Sequence, residues 1–156
     1  MKAISLEAVI AITARSKRTW WRRIAEHQVH RLANDATGRT KLAFDEILMH
    51  VCIPLDNDDK ELILLADSGN ADAQNDVGQM FLAAGKPEAA VYWLRAAADQ
   101  GNADAMQHLG CCYAAGDGIP KDVNLSLMWI AKAAAGGHVV ALSQIAGLLP
   151  FRSVAQ

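Results

Sequence analysis

An internal repeat constrains this chain more than any other feature. Gly69-Asn70-Ala71-Asp72-Ala73 returns as Gly101-Asn102-Ala103-Asp104-Ala105 and, more loosely, as Gly137-His138-Val139-Val140-Ala141, at spacings of 32 and then 36 residues. The four extra residues of the longer copy fall around Gly116-Asp117-Gly118-Ile119, where the shorter copy turns at Gly85-Lys86-Pro87, so the difference reads as a loop insertion. A second phrase keeps the same register: Trp93, Ala97-Ala98 and Gly101 against Trp129, Ala133-Ala134 and Gly137. Self-similarity at such a period marks stacked supersecondary units, none of which buries its apolar face alone.

Each period reads as a helix hairpin. Ala73, Val77 and Phe81, then Ala105, Leu109 and Tyr113, recur every four residues and make one apolar stripe on a first helix. Gly78 and Gly110 lie inside that helix, at a cost of about 1 kcal/mol each relative to Ala. Their presence predicts close approach by the Trp-bearing helix that follows. That second helix should begin near Pro87 or Asp122, carry Trp93 or Trp129 into the groove, and end at Gly101 or Gly137 in a left-handed cap. Asp59 to Asp67 supplies an incomplete leading helix. At the other end Val139, Val140, Leu142, Ile145, Leu148, Leu149 and Phe151 make a last helix apolar on too many sides for an exposed cap. Segment 139–151 is therefore expected to dock, on the preceding helix pair, on a second copy as a homo-oligomer, or on a partner.

The pattern Ala-x-x-x-Leu-Gly-x-x-Tyr-x-x-Gly-x-Gly, followed by Trp-x-x-x-Ala-Ala-x-x-Gly, resembles the Sel-one-like, tetratricopeptide-like repeat family over about residues 57–149. The first copy departs from it by lacking the Gly-x-Gly turn, the second carries Leu125-Ser126 where Lys-Ala is usual, and the last stops after one helix. The resemblance implies a right-handed superhelix whose concave face binds proteins or peptides. Asn75, Gln79 and Gln107 are the polar helix residues expected on that face.

Charge divides the chain where the repeats begin. Residues 1–55 carry nine Lys and Arg against five acids, and the remainder six against twelve. Pro54-Leu55-Asp56-Asn57-Asp58-Asp59 is the natural boundary, since Pro ends what precedes it and the acids open a helix. Two domains are expected, 1–55 and 56–156. In the basic head, Ser5 is expected to cap a helix through Ile12, Ser16 a second from Lys17 to about Gln28, and Asp45 a third from Glu46 to Ile53. Val29 to Leu32 and Thr40 to Phe44 alternate as two short strands around a turn-rich 33–38. That order, with Ser16-Lys17-Arg18-Thr19-Trp20-Trp21-Arg22-Arg23-Ile24, resembles the winged helix-turn-helix of MerR-type and excisionase-like proteins, although Thr13-Ala14 stands where such turns carry Gly.

The expected fold class is thus mainly α: a winged helix-turn-helix-like head with a small β-hairpin, then a short right-handed α-solenoid of helix-hairpin repeats. Trp20 should be core and Trp21 half covered. Arg15, Lys17, Arg18, Trp21, Arg22, Arg23, Arg39 and Lys41 are the head's candidate binding residues, with the second helix in a major groove and the wing on phosphates or in the minor groove if the partner is double-stranded DNA. A docking protein, or the acidic repeats of the same chain, are the alternatives.

Enzyme chemistry is not expected. His27 and His30 lack further ligands at metal spacing, Gly116 to Lys121 lacks the Gly-Lys-Ser/Thr ending of a phosphate loop, and Cys111-Cys112 lack CxxC spacing. Asp72, Asp76 and Asp104 read as solvated helix faces. No cofactor, metal or membrane span is expected, and the amino-terminal apolar run, broken by Glu7 and followed by Arg15 to Arg18, does not read as a secretory signal. The functional expectation is a cytoplasmic, bacterial, non-enzymatic adaptor with one protein partner on the repeats and a second macromolecule on the head. The alternative is a DNA-binding transcriptional regulator.

Overall fold

In the computed structural model, which describes residues 1–148, small polar residues set most element boundaries. Strand β1 (Ala3–Ser5) ends where the Ser5 hydroxyl accepts the Ala8 N–H and opens α1 (Leu6–Thr13). Ser16 likewise caps α2 (Lys17–Ala25) through the Thr19 N–H. This helix stops short of the expected Gln28 because His27 adopts a left-handed φ of 55°. Strands β2 (Arg31–Leu32) and β3 (Lys41–Ala43) form the expected hairpin, trimmed at both ends.

Two features of the head correct the sequence reading. First, β1 was not expected: it pairs antiparallel with β3, giving a three-stranded sheet in the order β1-β3-β2 with Ile4 opposite Leu42. Three residues with one buried aliphatic carry no period, so the pairing is legible only from the partner strand. Second, Asp45 is not a cap. Helix α3 (Phe44–Ile47) starts two residues earlier than expected with no side-chain cap, and passes into a 3₁₀ turn (Leu48–His50) instead of continuing to Ile53. Phe44 is buried and its N–H is held by the Lys2 carbonyl, so packing against the sheet overrides the capping preference.

The remaining helices follow the repeat. Asp56 and Asp59 cap α4 (Asn57–Asp67) reciprocally. Asn70 caps α5 (Ala71–Ala83), Pro87 opens α6 (Pro87–Asp99), Asn102 caps α7 (Ala103–Ala115), Asp122 caps α8 (Val123–Ala135), and α9 (Val139–Leu148) ends the described chain. Leu149 and Phe151, expected on the last helix, lie outside the described residues. Gly78 and Gly110 have the predicted role: a Cβ there would stand 2.7 Å from Leu94 in α6 and 2.6 Å from Ile130 in α8, so the paired helices approach at backbone distance. Trp93 is buried as expected, whereas Trp129 is half-buried under the Lys132 ammonium.

A single hydrophobic core runs from Ile4 in β1 through Trp20, Ile63 and Trp93 to Tyr113 in α7. Head and repeats share it because β1 packs on α4 and α1 on α6. A smaller cluster of Ile130, Ala133 and Ala141 joins α8 to α9.

Candidate functional site

The junction of head and repeats is built around Asp67, the last residue of α4, which is buried. Its carboxylate accepts the Ser5 N–H at 2.9 Å, the Ser5 hydroxyl, and the Lys41 ammonium at 2.7 Å. The Arg39 guanidinium stands 3.5 Å away and also donates to the Asp67 carbonyl at 3.3 Å. Asp35, in the β2–β3 loop, completes the cluster: it accepts from the Thr37 hydroxyl and from Arg39 Nε, each at 2.7 Å. Hydrogen bonds, that from Thr37 foremost, hold the Asp35 carboxyl well below the usual carboxylate range. Nearby on α6, burial pushes the Tyr92 phenol up to about 12, with Asp67 and Glu7 adding to the shift. Lys2 pairs with Glu61 at the edge of the same junction.

This cluster pairs two expected binding residues within the chain, Lys41 nearly buried and Arg39 still half-exposed. Arg39 and Lys41, placed by the sequence on a wing reaching for phosphate, are instead committed to Asp35 and Asp67 inside the chain. A desolvated ammonium such as that of Lys41 requires a charged partner, and the nearest carboxylates belong to the same molecule. Arg23 is withdrawn too. Its guanidinium lies 5.7 Å from the Trp20 ring centre and 3.2 Å from His50 Nε2, while Trp20 itself is buried and donates to Thr13. Burial first, then Arg23 and Arg15, lower the His50 pKa. Arg15, Lys17, Arg18 and Arg22 remain exposed, and Trp21 is half covered with the Arg31 guanidinium over its ring.

On the repeats the polar helix residues are mostly mortar between helices. Asn75 is buried, and Gln107 is buried with its amide toward Cys111 Sγ at 3.2 Å and Gln144 at 3.4 Å, tying α7 to α9. Neither lies on an open face, because each helix is sandwiched between neighbours on two sides. Gln79 is exposed. Gln74 and Gln100, not singled out in the sequence, form the matching link between α4, α5 and α6.

On α9 the segment expected to dock does present aliphatic side chains to solvent, and the structure adds exposed apolar residues on α8 that the sequence reading did not single out. Leu125, Leu127 and Met128 on α8, with Val139, Val140 and Leu142 on α9, are all 36% or more accessible. The signal was present in the nearly all-apolar α9 and in the Leu125-Ser126 departure, which places only Ser126 inward. No group of three or more metal-ligating side chains occurs among the described residues, and none of their helices is long and apolar enough to cross a membrane. His30 is engaged by Glu46 at 2.6 Å.

Comparison with known proteins agrees with the geometry of the stack. The family model described as Sel1 repeat matches residues 71–102 and 103–138. Among solved structures the chain is similar to a Sel1 repeat protein from Oxalobacter formigenes, with 38% identity and a TM-score of 0.51 over 56% of this chain and 27% of that one. It is also similar to c5321, a protective antigen of uropathogenic Escherichia coli strains displaying an SLR fold, with 29% identity and a TM-score of 0.52 over 58% and 21%. The chain therefore spans about a quarter of the length of these relatives. No curated protein matches it.

Proposed function

Because residues 71–138 are two Sel1 repeats, a class of module that generally mediates protein–protein contact, we propose that this chain is a non-enzymatic adaptor that holds a protein partner through its helical stack. The observation that carries the reading is the apolar patch of α8 and α9. Helices α5, α6 and α7 each pack between two neighbours, whereas α9 packs on α8 with a side-chain tie from Gln144 to Gln107 of α7, and its Val139, Val140 and Leu142 side chains meet water. Exposed aliphatic side chains gathered at the end of a stack are the kind of surface that associates. The head anchors a second macromolecule through the exposed cations of α2. The test is Leu127→Glu with Leu142→Glu: both positions are solvent-facing, so the circular dichroism spectrum should be unchanged while retention of a partner from cell extract is lost. Retention equal to that of the parent would sink the reading. Light scattering across a concentration series separates a second copy of the chain from a foreign partner.

A second reading, a DNA-binding regulator, is favoured by the four exposed cations Arg15, Lys17, Arg18 and Arg22, none within ion-pair distance of a described acid. Neutralising about four phosphates gives a log–log salt slope near −4. Fluorescence anisotropy with mixed duplexes from 50 to 200 mM salt tests it. A slope near that value, lost on Arg18→Ala with Arg22→Ala, supports regulation, and no binding at 50 mM removes it.

A further inference from the structure

Where α1 lies against α6, the two helices leave a groove of about 490 Å³ between head and first repeat. Its floor is apolar: Ile10, Ala11 and Ala14 from α1 and its cap, Ala89 and the Tyr92 ring from α6. Four charged side chains also line it, Glu7, Arg15, Lys86 and Glu88, and none forms an ion pair among the described residues. Cavities of roughly 300–1,000 Å³ with apolar lining and a few charged groups are the usual form of a ligand site.

The charges are not scattered. Tyr92 on α6 lies near Glu7 at the start of α1, whereas Lys86 lies near Cys52, whose backbone N–H donates to the Ile12 carbonyl near the end of α1. The two helices are therefore antiparallel across the groove. Arg15 and Lys86 mark one end, with Glu88 two residues on from Lys86, and Glu7 marks the other. The eight residues of α1 set the ends about 12 Å apart, the reach of about four extended residues.

We propose that this groove takes the C-terminal tail of a partner protein, about four extended aliphatic residues ending in a free carboxylate held between Arg15 and Lys86. A chain terminus places its negative charge directly beside an aliphatic side chain, as the groove places two cations beside an apolar floor. The near end keeps a net positive charge, Arg15 and Lys86 against Glu88, whereas the far end carries Glu7 without a cation, which repels the carboxylate and sets the direction of entry. The floor offers little directional hydrogen bonding, so recognition depends on aliphatic bulk and the end charge. The inference rests on the reading of the chain as a protein-binding module, but it uses none of the α8–α9 patch, so the two stand or fall in separate experiments.

The test uses the full chain and a fluorescein-labelled peptide, Gly-Ser-Gly-Leu-Val-Leu-Val, as free acid and as C-terminal amide. The free acid should bind with micromolar affinity and at least tenfold more tightly than the amide. Arg15→Glu with Lys86→Glu, both exposed positions, should erase that preference, and Ala11→Trp, which fills the groove, should abolish binding of either form. Equal binding of acid and amide, no binding of the acid at 1 mM, or binding that survives Ala11→Trp overturns the proposal. Saturable binding of decanoate without binding of the peptide also overturns it, and assigns the groove to a small carboxylate.

Discussion

At the α4 end of the helical stack, a carboxylate is drawn inside and met by the backbone, hydroxyl and cations of the head. At the α9 end, aliphatic side chains face solvent with no described segment over them. Both ends answer the same requirement, since a stacked repeat buries its face only against a neighbour. The answers differ in kind. A buried ion cluster is satisfied by one geometry and penalises every other, so it fixes the head in a single pose. An apolar face gains from any complementary surface and so leaves the choice of neighbour open. One end of the molecule is committed and the other is available.

The strongest way to break this comparison is Asp67→Ala. It strands two Ser5 donors in a buried site and leaves the Lys41 ammonium only the more distant Asp35 carboxylate at 3.6 Å, and removing one partner of a buried ion pair costs about 3–5 kcal/mol. For a chain of this size each kcal/mol shifts the melting midpoint by about 2–4 °C, so a fall on the order of 10 °C is expected by circular dichroism. Because one hydrophobic core spans head and repeats, the loss should appear as a single transition, not as early melting of the head. A shift below 2 °C would mean that the cluster adds no more than a surface ion pair.

The next two changes make the same substitution in opposite settings. Gly110→Ala puts a Cβ at 2.6 Å from Ile130 and 3.2 Å from the Ser126 carbonyl, where backbone has little room to give. Overpacking of this kind costs about 1–3 kcal/mol, which outweighs the gain in helix propensity. Gly147→Ala, in α9, meets nothing within 4 Å among the described residues, so propensity alone acts and the variant should be more stable by about 0.5–1 kcal/mol. Urea midpoints measure both. Stabilisation at both sites would mean that α7 and α8 are not in backbone contact; destabilisation at both would place an unseen neighbour on α9.

Legibility followed range. The repeat helices, their starts at Pro87 and Asp122 and the close approach at Gly78 and Gly110 were readable because each is encoded within one period and stated more than once. Strand β1 and the start of α3 were not, because Ile4 and Phe44 take their places from β3 and Lys2, which are distant in sequence. The candidate site was half legible. Arg15, Lys17, Arg18 and Arg22 are exposed as expected, but the commitment of Arg39 and Lys41 depends on Asp67, which reads locally as one more acid on an acidic helix. Composition places an exposed charge well; it cannot pair two charges from different elements. Asn75 and Gln107 failed for a related reason, since a polar residue on a solenoid helix faces either water or the next helix and the period does not say which.

The smallest effect concerns pH, and it reaches the head through His50. Burial lowers the pKa of this imidazole below its ordinary 6.5, with Arg23 and Arg15 acting in the same direction. The fold therefore prefers the neutral ring. As pH falls through about 6.5, the unfolded chain takes up the proton first, so the stability held at pH 7.5 declines until the folded pKa is passed. His50→Gln keeps an acceptor for Arg23 and removes the titration. The urea midpoint of the parent should drop between pH 7.5 and 5.5 by more than that of the variant. Parallel curves would show that His50 titrates alike in both states, and that the packing around Trp20 does not discriminate against a charged ring.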